Sequence, residues 1–183
     1  IAHVEAGLRS YKKYSPFPEE LNRVLISRLA DYHFAPTHKA KENLLSEGIV
    51  DNVYVVGNTV IDALFLTLNK IESDGGIREK IIKDFDSLIP GFCKEILGDD
   101  NLRLVLVTAH RRESFGRTFE NICLALKEIS SKRDDVRIIY PVHLNPNVRR
   151  PVFEILKDAP NIYLIPPLNY PHLVWLMSRA HLI

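Results

Sequence analysis

Short apolar runs followed by amphipathic helical stretches recur along this chain, and that alternation constrains the fold more tightly than any other feature. Strands joined through crossover helices pair in parallel, so the pattern predicts an α/β chain with doubly wound parallel sheets. The later series is the clearer. Leu104-Val105-Leu106-Val107 lies within a strand predicted over 103–108, followed by a helix over about 117–131. A strand over 136–140 and a helix over about 148–157 come next. A strand over 162–165 and a helix over 171–180 close the series, with Asn169 placed to cap that helix.

The earlier series opens with a helix predicted over 18–31. Pro18 suits its first turn, Glu19 and Glu20 complement its dipole, and Leu21, Val24, Leu25 and Leu29 make one apolar face. A short strand over 32–35 follows. Thr37 is placed to cap a helix ending near Glu47, with Gly48 at its C-terminus. A buried strand is predicted over 53–56, and Gly57-Asn58-Thr59 turns into a helix carrying Val60, Ile61, Leu64 and Leu68. Ser73-Asp74-Gly75-Gly76 reads as a flexible break, and 77–101 as charged and irregular with one short helical stretch. A domain boundary is expected between about 60 and 100.

Composition narrows the partners. In 183 residues, 46% are hydrophobic and 26% charged, enough for a substantial core in one or two domains. A formal net charge of +1 supplies no field to attract nucleic acid or a membrane surface, and no apolar run reaches transmembrane length. The start, Ile1-Ala2-His3-Val4, has no features of a signal peptide. Cys93 and Cys123 are too few for a disulfide scaffold; Cys123 shares a helix side with Phe119, Ile122 and Leu126 and reads as core. A reducing cytoplasm fits this usage. Ile1 to Val4 reads as the tail of a strand and His181-Leu182-Ile183 as the start of another, so a fragment is expected.

Three loops carry chemistry. His110-Arg111-Arg112-Glu113-Ser114-Phe115-Gly116 lies between a strand end and a helix start, where α/β proteins bind anions. It reads either as a phosphate or carboxylate site or as a solvated charged turn. His3-Val4-Glu5-Ala6-Gly7-Leu8-Arg9 puts a carboxylate just past a strand end, and Ser15-Pro16-Phe17-Pro18-Glu19-Glu20 puts two at a helix start. Carboxylates on neighbouring elements can serve as acid and base, although Glu19 and Glu20 can equally serve only the helix dipole. Tyr140-Pro141-Val142-His143-Leu144-Asn145-Pro146-Asn147 sets His143 at the same sheet edge as His110. Neither histidine has metal-ligand spacing; hydrogen bonding to phosphate or sugar, or plain loop structure, fits better. No P-loop, GxGxxG or Gly-x-Ser-x-Gly elbow occurs, Ser114 lacks a nucleophile context, and Trp175 and Met177 read as core.

Together the stretches HVEAGLRS, SPFPEELNR, GNTVIDAL, TAHRRESFGR, YPVHLNPNVR and LVWLMSRAHLI resemble bacterial non-hydrolysing UDP-N-acetylglucosamine 2-epimerases, in that family's order and across nearly the whole chain. The resemblance implies a GT-B-like fold of two Rossmann-like domains around a cleft. Residues 1–65 would be the later half of the first domain, and 66–183 the early part of the second, UDP-binding one. It implies interconversion of UDP-GlcNAc and UDP-ManNAc by elimination of UDP to 2-acetamidoglucal and re-addition, without a nicotinamide or metal, for cell-surface polysaccharide synthesis. Glu5 and Glu19 match the family's catalytic carboxylates, with either face of the sugar open to either one. His110 matches its active-site histidine; Arg111, Arg112 and His143, with Glu5 and His110, would bind substrate. A homodimer and activation by UDP-GlcNAc at a second site, to which Glu19 and Arg111 lie close, are also implied. A further catalytic aspartate and a serine- and glycine-rich uridine-diphosphate segment would lie outside these 183 residues, so the isolated chain is expected not to turn over. A hydrolysing 2-epimerase, a GT-B glycosyltransferase and a catalytically dead nucleotide-sugar sensor are the alternatives.

Overall fold

A computed structural model describes residues 1–109 and 116–183. The chain divides into two compact units, Ile1–Leu66 and Thr67–Ile183. Each contains an entirely parallel three-stranded sheet, as the strand–helix alternation predicts.

The first unit runs β1 (Ala2–Val4), α1 (Glu19–Leu29), β2 (Tyr32–Ala35), α2 (His38–Ser46), β3 (Val53–Val55) and the start of α3 (Thr59–Ser73). Its strand order is β1-β2-β3, with His3 opposite His33 and His33 opposite Val53. Thr37 caps α2 as expected, its hydroxyl accepting from Ala40 N–H at 3.0 Å. A small core of Ala6, Ala35, Ala40, Leu44 and Val53 lies between sheet and α2. One expectation fails here. In the strand predicted as buried, Val53 is buried but Tyr54, Val55 and Val56 are exposed. In α1 the buried side chains are Glu20 and Ser27, and within these 183 residues Leu25 and Leu29 of the apolar face are exposed together with Ile26. The helix turns its polar stripe inward because Glu20 and Ser27 find partners there, which buried polar groups require.

The second unit continues with α4 (Gly75–Leu88), a π-helical turn (Phe92–Ile96), β4 (Arg103–Leu106), α5 (Arg117–Lys132), β5 (Val136–Pro141), α6 (Pro146–Leu156), β6 (Ile162–Ile165) and α7 (Tyr170–Arg179). Strand order is β4-β5-β6, and Leu182 bridges Val105 on the other side of β4. Helices cover both faces. Ile81 and Phe85 of α4, Phe92, and Trp175 and Leu176 of α7 pack on Leu104, Leu106, Ile139 and Ile165. Phe119 and Cys123 of α5 and Val148, Val152 and Leu156 of α6 pack with Tyr140 and Val142 on the other. Cys123 is core as expected, and burial raises its thiol pKa to about 11; Ile122, placed beside it in the sequence reading, is exposed.

The segment read as a flexible break and irregular stretch is instead helical. The Asp74 carboxylate accepts from Gly76 N–H at 3.1 Å and Ile77 N–H at 3.2 Å, starting α4 directly at the glycine pair. Ile77, Ile81 and Phe85, four residues apart, then form its packing stripe. Asp74→Ala is expected to remove about 1 kcal/mol of stability from this unit. The check is a lower urea midpoint at unchanged slope; an unmoved midpoint means the cap contributes nothing.

Candidate functional site

In each parallel sheet the strands share a carboxyl end, and the loops singled out by sequence leave from that end. In the first unit Glu5 is the first residue beyond β1 and is exposed. Its φ is +59°, a left-handed backbone that costs a non-glycine residue about 1–2 kcal/mol. The next residues hold it there. Ala6 is fully buried and its N–H donates to Phe34 O at 3.0 Å. Gly7, at φ +83°, packs so closely on α2 that a Cβ would lie 2.0 Å from the Ala40 carbonyl oxygen. Its own carbonyl accepts from Asn43 Nδ2 at 2.9 Å.

Glu19 and Glu20 separate cleanly. Adjacent helical residues point about 100° apart, so one faces inward and the other does not. Glu19 is exposed; Glu20 is 2% exposed. The Glu20 carboxylate accepts from Ser10 N–H at 3.0 Å and Tyr11 N–H at 3.1 Å and pairs with Arg9 Nη1 at 2.9 Å. Arg9 Nε reaches Glu47 at 2.6 Å. Burial alone would push the Glu20 carboxyl up, but the Ser10 amide, the Arg9 guanidinium and the Tyr11 amide outweigh it and hold the pKa below its ordinary value.

Sequence reasoning missed this network, and also a pair of buried histidines. His3 and His33 face each other across β1 and β2 with ring centroids 6.3 Å apart. The Ser27 hydroxyl lies 3.4 Å from His3 Nδ1. Burial, reinforced by the charges of His33 and Arg23, lowers the His3 pKa below its ordinary value. One signal was available: Glu20, Val24 and Ser27 follow helical spacing and share a face with Arg23.

In the second unit the loops after β4 and β5 leave neighbouring strands. His110, Arg111 and Arg112 lie outside the described residues, but Ala109 just before them is held. The buried Tyr140 hydroxyl donates to the Ala109 carbonyl at 2.7 Å. His143 follows β5; its Nδ1 accepts from Asn145 N–H at 3.1 Å, so the neutral ring carries its proton on Nε2. The Asn145 side chain accepts from Asn147 N–H at 2.9 Å and caps α6. Among the described residues no three His, Cys, Asp or Glu side chains are grouped to hold a metal ion, and no helix is long and apolar enough to cross a membrane.

A family model described as UDP-N-acetylglucosamine 2-epimerase matches residues 1–183. The chain belongs to this epimerase family. Among curated relatives, UDP-N-acetylglucosamine 2-epimerase of Escherichia coli is 46% identical over the whole of this chain and 46% of its own length. A probable UDP-N-acetylglucosamine 2-epimerase of Ralstonia nicotianae is 50% identical over the same shares. Thus the epimerase-family chain spans about half the length of the curated relatives it matches. Among solved structures, UDP-GlcNAc 2-epimerase of Neisseria meningitidis bound to UDP-GlcNAc superposes with a TM-score of 0.86 at 44% identity, over 99% of this chain and 46% of that one. The Methanocaldococcus jannaschii enzyme in complex with UDP-GlcNAc and UDP matches with a TM-score of 0.71 at 34% identity, over 100% and 47%.

Proposed function

We propose that this chain carries part of the active site of a non-hydrolysing UDP-N-acetylglucosamine 2-epimerase, with Glu5 and Glu19 as its acid–base carboxylates. One observation carries the reading: Glu5 is exposed at a strand's carboxyl end in a backbone conformation that costs free energy and that Ala6 and Gly7 enforce. Strain of this kind concentrates where a side chain must be aimed. The two compact units are on this reading parts of two Rossmann-like domains, 1–65 and 66–183.

The chemistry explains the residue types. The sugar C2–H has no adjacent ring carbonyl to acidify it, so simple deprotonation is unfavourable. A carboxylate instead takes the C2 proton as the C1–O bond breaks and its electrons leave with UDP. The C1=C2 double bond of 2-acetamidoglucal remains. UDP then adds back at C1 while a carboxylic acid delivers a proton to the opposite face of C2. The sequence is redox-neutral and consumes no water. His110, Arg111 and Arg112 would stabilise the departing diphosphate, and His143 would bind substrate from the neighbouring loop. UDP-GlcNAc also serves as activator at a second site, and the enzyme works as a homodimer. It needs no cofactor and supplies UDP-ManNAc for cell-surface polysaccharide synthesis in the cytoplasm. Turnover belongs to the length of the relatives, and the 183 residues alone are inactive.

Proton NMR of the protein prepared at its relatives' full length, with UDP-GlcNAc in deuterium oxide, tests this. UDP-ManNAc carrying deuterium at C2 is the expected product. Free ManNAc with UDP means a hydrolysing enzyme, and an unchanged nucleotide sugar with no exchange overturns epimerisation. Turnover by the 183 residues alone overturns the assignment of activity to the longer length.

A further inference from the structure

The Arg9–Glu20–Glu47 network is the most elaborate buried polar arrangement in the first unit, and the proposed reaction has no step for it. Arg9 and Glu20 have side chains 7% and 2% exposed, and Glu47 14%. Ions in such places are expensive to desolvate, and an apolar pair of similar size would serve stability as well or better. The network therefore calls for a reason other than adhesion.

Its connectivity supplies one. Glu20 belongs to the first turn of α1, immediately after Glu19. Its partners, Arg9, Ser10 and Tyr11, follow Glu5 by four to six residues. The carboxylate thus ties the segment leaving Glu5 to the helical turn that carries Glu19. Tyr11 has φ +56°, so the docked turn is itself held in a left-handed backbone. Arg9 closes the arrangement from the other side. Besides the Glu20 carboxylate it reaches the Glu20 carbonyl at 3.4 Å, stacks over the Tyr11 ring at 5.4 Å, and bonds Glu47 at the end of α2. α2 in turn fixes Gly7, two residues past Glu5, through Asn43. The segment leaving Glu5, the turn of α1 that carries Glu19 and the end of α2 are thus joined through Arg9 and Glu20.

We propose that Glu20, with Arg9, is a positioning residue for the proton transfers at C2: it holds the Glu5 and Glu19 carboxylates in their working relation without touching substrate. This rests on the assignment of Glu5 and Glu19 as the acid–base pair. Glu20→Gln keeps the shape and one carbonyl acceptor, but it loses the charge facing Arg9 and cannot accept from both amides. Arg9→Lys keeps the charge and loses the planar fork that spans two carboxylates.

The experiment measures kcat, KM and the kinetic isotope effect with C2-deuterated UDP-GlcNAc for these two variants and for Glu5→Gln and Glu19→Gln. The protein is at its relatives' full length and well below its unfolding temperature. Both positioning variants are expected to lose about tenfold to a hundredfold in kcat, because small misplacements of a reacting group cost that much, with KM within about twofold. The isotope effect on kcat rises, since proton transfer becomes more fully rate-limiting, and Glu20→Asp recovers part of the loss. A purely structural role moves none of these per folded molecule. If Glu20→Gln and Arg9→Lys fold and keep the parent kcat and isotope effect while Glu5→Gln and Glu19→Gln are dead, positioning is wrong and the acid–base assignment stands. Full activity of Glu5→Gln and Glu19→Gln overturns both. If one positioning variant does not fold, the other decides, and failure of both to fold assigns the network to stability and overturns the proposal.

Discussion

Glu5→Gln, in the protein at its relatives' full length, is expected to lower kcat by about 10²–10⁴-fold, the usual contribution of a positioned acid or base. Exchange of the C2 proton with solvent should fall with it, because Gln can neither take nor deliver that proton. The substitution is close to isosteric and leaves the backbone amides that enforce the left-handed turn, so the unfolding midpoint should stay where it is. Substrate binding should change little, and the loss should appear in kcat more than KM. Glu5→Gly sharpens the comparison. Glycine adopts φ +59° without strain, so this variant should be no less stable than the parent while being as inactive as Glu5→Gln. A variant that keeps its fold and loses its turnover separates chemistry from stability. Retained turnover in Glu5→Gln removes Glu5 from the reaction.

The largest stability effect is expected at Gly7. An alanine Cβ there would sit 2.0 Å from the Ala40 carbonyl oxygen, 2.7 Å from its carbon and 3.0 Å from Leu44 Cγ, at φ +83°. The first two atoms are α2 backbone, which cannot move aside without breaking the helix, and Leu44 is fully buried. Overpacking and the left-handed penalty together come to about 2–5 kcal/mol, a large part of the total stability of a small domain. Gly7→Ala should therefore leave the first unit unfolded or insoluble, read from soluble yield and loss of cooperative urea unfolding. Gly57→Ala is the control: it shares φ +83° but meets nothing within 4 Å, so it should cost only about 1–2 kcal/mol. Equal effects at the two positions would mean that the close approach to α2 is not what matters at Gly7.

Much of this was legible in the sequence where local chemistry decides the outcome. The strands after 103, 136 and 162, the Thr37 and Asn169 caps and the buried Cys123 each follow from residues close in sequence. Legibility failed where a distant partner decides. The Ser73–Gly76 stretch contains two glycines and looks like a break, yet Asp74 caps a helix whose stripe finds a core on the sheet. Nothing beside Glu20 and Ser27 in the chain announces their burial, because the partners that draw them inward, Arg9 and His3, lie 11 and 24 residues away. Glu19 and Glu20 are chemically identical in a string of letters. One helical step of rotation makes one a buried ion-pair partner and leaves the other exposed.

The inward polar stripe of α1 has a mechanical consequence. A helix seated by a greasy face can roll or slip by a fraction of a turn and lose little, because apolar contacts are non-directional. α1 is seated by the Glu20 carboxylate, by the Ser27 hydroxyl against His3, and by Arg28 Nη2 donating to the Glu47 carbonyl at 2.7 Å. These bonds have directions, so a slip of one residue breaks all of them at once. The seat therefore keys α1 in one rotational register, and the angle at which the chain offers Glu19 is set to within the tolerance of a hydrogen bond.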